Sequence, residues 1–257
     1  MLSPMGTINF ISPLGLQAKP LTKMAFDQQY AQYVPPKPRR PLGRPKNRRF
    51  GGASRNGCAA IKADQSLLTA LIPDDEFIYT IAERPTFWFY IPYSAATIAN
   101  VKFVLQDAAD PMAQSLYPQS EDVILPQGKQ PGVIGIRLPA TSTPLQVGKT
   151  YRWTLKVHCG EQSANAEPVY VQGTVERMML TPALQRQLQA QRKQPREQML
   201  LYARNGIWYE ALTTLAELRR DRPRDPKLLA DWQKLLQTIG LQDVSNKPLA
   251  PCCTLSR

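Results

Sequence analysis

The chain has 257 residues, 43% of them hydrophobic, and a net charge of +12, enough apolar material to bury one sizeable core or two smaller ones. No apolar stretch approaches the roughly 18 to 20 residues that a membrane helix requires. The charge is uneven, at +1 over residues 1–33, +8 over 34–57, −4 over 58–176 and +7 over 177–257, so the overall basicity does not point to a nucleic-acid-binding domain.

In chain order, residues 1–19 come first. They contain no Lys or Arg before Lys19, and their apolar run is broken by Pro4, Asn9 and Pro13, so no signal peptide is visible. Residues 34–57 carry eight Lys or Arg, no acid and five prolines. Proline bias and like charge make this an extended basic linker, and residues 1–57 as a whole are expected to be disordered.

Residues 58–177 read as a β-sandwich, with short strands separated by turn signals. In ERPTFWFYIPY, Glu83 to Tyr93, Phe87, Phe89 and Ile91 fall on one face of a pleat and Trp88 and Tyr90 on the other. Both faces are apolar, which marks a strand covered on both sides. Further strands are expected at 101–106, 133–138, 151–158 and 169–175, with weaker ones near 67–72 and 120–125. Tyr151, Trp153, Leu155 and Val157 alternate with Arg152, Thr154, Lys156 and His158, so that strand turns one face to water. In LQVGKTY, Leu145 to Tyr151, the Leu, Gly and Tyr spacing resembles the tyrosine corner of Ig-like and fibronectin-like sandwiches, whose Tyr hydroxyl bonds backbone just upstream.

After Met179 the period becomes helical, and residues 178–245 are expected to form helices packed on the sandwich, followed by a flexible tail over 246–257. Thr181 before Pro182 and Asp225 before Pro226 are N-cap signals, and Gly240 is a stop. Ala211, Leu212, Leu215 and Leu218 share a helix face. Tyr202, Gly206, Ala211, Leu215 and Pro223 fall at tetratricopeptide-hairpin spacings, and a single such unit must dock to bury its apolar side.

No residue set carries a recognisable reaction, so a non-enzymatic protein without cofactor or metal is expected. His158 and Cys159 are strand neighbours pointing to opposite faces and cannot share a proton. Asp74, Asp75 and Glu76 lack the spacing and glycine of a calcium loop. The basic stretch could hold phosphates through counterion release, but without interleaved aromatics beyond Phe50 it offers no specific nucleic-acid site. Trp88 and Tyr90 could form a sugar-stacking surface, or else a face roofed by the C-terminal hairpin. No cysteines show zinc-ligand spacing, and the adjacent Cys252 and Cys253 are not expected to bridge each other. Cys58 precedes the first strand and Cys159 ends a long one. A bridge between them would close a loop of about 100 residues, worth about 4.7 kcal/mol in the chain-entropy view. The alternative is two inert buried thiols.

Taken together, the basic linker ending in a cysteine, ERPTFWFYIPY, VKFVLQD, GKTYRWTLKVHC and LYARNGIWYEALTTLAELR resemble the DUF928 family over roughly Val34 to Leu249. That family is of unknown function and found mainly in cyanobacteria. The resemblance implies an exported or envelope protein, with Cys58 and Cys159 positioned like the family's cysteine pair, although the signal peptide usual in its members is not visible here. Two functions are carried forward. The first is a periplasmic or other envelope module, without a membrane span, that binds a protein or glycan. The second is an intracellular protein making weak contacts with anionic polymers through residues 34–57.

Overall fold

The structure, a computed structural model, describes residues 30–36, 47–51, 58, 67–75, 77–110, 116, 123–124, 131–160, 167–250 and 254–255. Among the described residues, nine strands precede or flank four helices: β1 (Thr69–Ala70), β2 (Tyr79–Thr80), β3 (Thr86–Ile91), β4 (Ile98–Asp107), β5 (Val123–Ile124), β6 (Gly132–Arg137), β7 (Thr150–Cys159), β8 (Val169–Arg177) and β9 (Thr254–Leu255), with α1 (Pro182–Ala190), α2 (Pro195–Arg204), α3 (Trp208–Asp221) and α4 (Pro226–Thr238) between β8 and β9. One sheet has the order β1-β3-β6 and a second the order β2-β8-β7-β4, with β5 and β9 paired apart. Only β2 with β8 runs parallel among these ladders. The result is a sandwich of two mostly antiparallel sheets followed by helices.

Aromatic rings fill the space between the sheets. Phe87 and Phe89 of β3 meet Phe103 of β4 at centroid distances of 4.9 and 6.3 Å, and Trp153 of β7 at 5.9 and 5.4 Å. Gly173 of β8 makes room for that tryptophan, since a Cβ there would lie 2.8 Å from Trp153 Cε2 and from Ile72 Cδ1. Along β7 the inward residues are buried and the alternate ones less so, as the alternation predicts. The hydroxyl of Tyr151 accepts from Gln146 N–H at 2.9 Å, the upstream backbone bond its spacing anticipates.

Both expected helix caps form. The Thr181 side chain accepts from Leu184 N–H, and the Asp225 side chain accepts from Lys227 and Leu228 N–H. Helix α3 then docks by its first turn on the sandwich edge near β1 and β2. Trp208 Nε1 donates to Leu71 O at 2.9 Å, and Tyr209 accepts from Trp153 Nε1 at 2.9 Å while donating to Thr174 O at 3.1 Å.

The segments expected to be disordered or flexible are docked wherever they are described. In residues 30–36, Val34 N–H donates to Ala203 O, Ala31 N–H donates to the buried carboxylate of Asp231, and the Tyr33 ring meets Trp208 edge-on at 5.0 Å. Gly206, at φ +71°, lets this strap pass, because a Cβ there would come within 3.0 Å of Pro36 Cδ. Residues 47–51 tie the two sheets: Arg48 exchanges backbone bonds with Gln172 of β8, while Arg49 O accepts from Ala70 of β1 and Gly51 N–H donates to Leu68 O. At the other end of the chain, Val133 N–H of β6 donates to Pro248 O and Ala250 N–H donates to Val133 O, so the tail adds backbone to that sheet. The physical reason is common to all three. Open strand edges and helix grooves offer partners that a proline-rich chain can meet in extended form. The remaining residues of 1–57 and of the tail, Cys252 and Cys253 included, lie outside the described residues.

Candidate binding clefts

Helix α3 carries a charged residue in its first turn that sequence reasoning passed over. Glu210 sits between the end of β2 and the sheet, where its Oε1 accepts from Thr80 Oγ1 at 2.6 Å, Ala82 N–H at 2.9 Å and Ile81 N–H at 3.0 Å. Its Oε2 is buried and has no hydrogen-bond partner among the described residues. Burial raises the carboxyl above its ordinary value, and the bonds from Thr80, Ala82 and Ile81 pull the other way. A carboxyl with one oxygen saturated and the other buried without a partner has unmet hydrogen-bonding capacity.

This group lines a cleft of about 200 Å³ whose other walls include Arg84, Thr86, Arg137, Tyr202, Thr213 and Glu217. Arg84 is oriented by two bonds to Ser142 O, at 3.0 and 3.2 Å. Arg137 and Glu217 face each other across the rim at 3.6 Å, largely in solvent. The cleft therefore offers acceptors, donors and the rings of Tyr202 and Tyr209 on rigid elements. The only advance signal was a lone acid in the otherwise apolar run GIWYEAL, Gly206 to Leu212.

A second cleft, about 410 Å³, lies at the opposite end of α3 and is lined by Arg219, Arg220, Pro223 and Leu249. Among the described residues no group of His, Cys, Asp or Glu is arranged to hold a metal ion, and no helix is long and apolar enough to cross a membrane.

The sequence-selected residues fall as follows. Cys58 and Cys159 form a disulfide, with Cα atoms 5.0 Å apart across 101 residues of chain. Trp88 and Tyr90 are not an open stacking surface, being 3% and 4% exposed. They are roofed: Trp88 Nε1 donates to Thr213 Oγ1 of α3 at 3.0 Å, Arg220 lies 5.0 Å over the Trp88 ring, and Lys247 lies 5.4 Å over Tyr90. The aromatic-surface reading is thus corrected in favour of the roofed face. Within the basic segment, Arg48 stacks 4.1 Å over Tyr170, and Arg49 donates to Ile239 O at 2.8 Å. The stretches 37–46 and 52–57 lie outside the described residues, as does Glu76 of the acidic cluster.

A family model described as Domain of Unknown Function (DUF928) matches residues 50–249. The chain belongs to the DUF928 family. The match takes in both sheets, all four helices and both clefts, while the strap at 30–36 precedes it. No curated protein and no solved structure matches this member of the family.

Proposed function

We propose that the chain is a non-enzymatic binding module of the cell envelope, and that its ligand, a glycan segment, seats in the Glu210 cleft. The observation that carries this reading is the unpaired Oε2 of Glu210, an acceptor whose sister oxygen is already tied to three donors. Sugar hydroxyls both donate and accept, which suits a wall that mixes Glu210, Thr213, Arg84 and Tyr202. A protein segment offering a backbone N–H is the alternative ligand. The reading takes the sandwich as Ig-like or fibronectin-like, which the Tyr151 to Gln146 bond supports. It takes α2 and α3 as a tetratricopeptide-like hairpin, supported by the turn at Gly206. Placement in an oxidising envelope compartment is supported by the Cys58–Cys159 bridge. The rival reading, polyanion contact through residues 34–57, is weakened because Arg48 and Arg49 are engaged within the fold.

Soluble oligosaccharides arrayed against the full, disulfide-intact chain test the ligand class, and Glu210→Gln tests the site. A glycan that binds the wild type and loses about tenfold in affinity with Glu210→Gln supports the proposal, that being the scale of one good hydrogen bond to a charged group. Binding unchanged in the variant, or no glycan bound by the wild type, overturns it. For the compartment, thiols are counted in denatured protein from its native cell. At most two free thiols fit export, and all four of the chain's cysteines free would refute it.

A further inference from the structure

The last turn of α3 holds two guanidinium groups on consecutive residues, Arg219 and Arg220, away from Glu210. Nine and ten residues of helix separate them from it, about 14 to 15 Å along the axis. Each is fixed by a tryptophan: Arg219 lies 5.0 Å over Trp232 and Arg220 lies 5.0 Å over Trp88. Arg220 also donates from Nη2 to Ala250 O at 2.8 Å. Yet Nη1 of Arg219 and Nε of Arg220 are both buried without a hydrogen-bond partner among the described residues.

Two adjacent cations ordinarily draw in a carboxylate, and three acids of α3, of α4 and of the turn between them are paired with other arginines. Glu217 faces Arg137 at 3.6 Å, Asp225 faces Arg222 at 3.3 Å, and Asp231 binds Arg196 at 2.7 Å. No ion pair to Arg219 or Arg220 forms among the described residues. Basic residues suit a helix C-terminus, whose carbonyls carry partial negative charge, but that long-range attraction does not satisfy a buried N–H. Burial lowers the pKa of Arg219 with no acid opposing it.

We propose that this cleft, about 410 Å³ and walled on its apolar side by Pro223 and Leu249, is a binding site for an oxyanion, a carboxylate or phosphate group held by Arg219 and Arg220. Planar guanidinium groups recognise both chemistries by charge-assisted hydrogen bonds. The tryptophans hold these two in place beforehand, so little side-chain freedom is lost on binding. The apolar wall suits a ligand with a short carbon skeleton attached to the anion.

The test titrates the full chain with inorganic phosphate and, separately, with succinate, at constant ionic strength, following the arginine side-chain N–H signals by NMR. Saturable shifts at Arg219 and Arg220 are expected, weakened about tenfold in Arg219→Gln and in Arg220→Gln. Arg222→Gln, a neighbouring arginine already paired, should leave them unchanged, as should Glu210→Gln, so failure of the glycan reading does not touch this one. Saturation by phosphate alone or by succinate alone supports the site and identifies the group. Equal, non-saturating shifts at all arginines overturn it. Should a variant fail to fold, wild-type thermal unfolding decides: Tm rising with either anion beyond matched chloride supports the site, and Tm unchanged overturns it.

Discussion

On the inner face of β3, Phe87 and Phe89 meet Phe103 and Trp153 ring against ring across the sandwich, whereas on the outer face Trp88 and Tyr90 meet a helix and a C-terminal segment through Thr213, Arg220 and Lys247. Every residue of that strand is buried. The inner seal rests on dispersion and exclusion of water, which demand close fit over the whole contact. The outer seal uses hydrogen bonds and cation–π contacts at a few points, leaving room between them. Both clefts open along that second seal, beside α3, where polar groups can be buried in part and still face a ligand.

The largest expected effect breaks the inner seal. Phe89→Ala should cost about 3–5 kcal/mol, because two aromatic neighbours lose their partner in a space that cannot collapse. Chemical denaturation measures it, and a loss below that of Tyr90→Ala would reverse the ranking of the two faces.

Next comes the disulfide, which fastens the end of the linker to the last residue of β7 on the sheet opposite β3. Cys58→Ser should lower stability by about 2–5 kcal/mol, and added reductant should lower the wild type to the same level. Equal midpoints for oxidised and reduced wild type would show that the bridge adds nothing to the fold.

A smaller effect is expected on the outer seal. Thr213→Val keeps shape and removes the acceptor of the Trp88 indole N–H, for a loss of about 1–2 kcal/mol. A loss as large as that of Phe89→Ala would mean that the roof is as unforgiving as the core.

The smallest effect at neutral pH belongs to Glu210→Gln, and its signature is the pH dependence. Burial raises the folded carboxyl above its ordinary value of 4.5, so folding favours the protonated form. That stabilising contribution is complete below the unfolded pKa and is lost as pH rises through the folded pKa. Wild-type stability relative to Glu210→Gln should therefore fall as pH is raised above 4.5. A constant difference between the two across that range would show that the carboxyl titrates as in water.

Much of this fold was legible because strand alternation is local. Tyr151 to Val157 point inward at every second residue, and Thr181 and Asp225 announce their helices, since a cap bonds within three residues of itself. The two apolar faces of β3 were equally plain. Their covers were not, because Thr213 lies 125 residues from Trp88. Glu210 went unnoticed for a related reason: a single acid on an amphipathic helix reads as a solvated residue until β2 is seen to bring Thr80, Ile81 and Ala82 against it.

By itself the sequence determined the strands β1 and β3 to β8 and the helices that follow them, but not the short β2 and β9, together with the strand that is apolar on both sides and the caps that begin α1 and α4. These depend on periodicity and on bonds spanning a few residues. Tertiary structure alone decided that residues 30–36 and 47–51 and the tail at 248–250 dock rather than remain free, that Gly173 clears a place for Trp153, and that α3 carries a cleft at each end. Whether an extended segment is held depends on an open edge or groove elsewhere in the chain, and no local pattern records that vacancy.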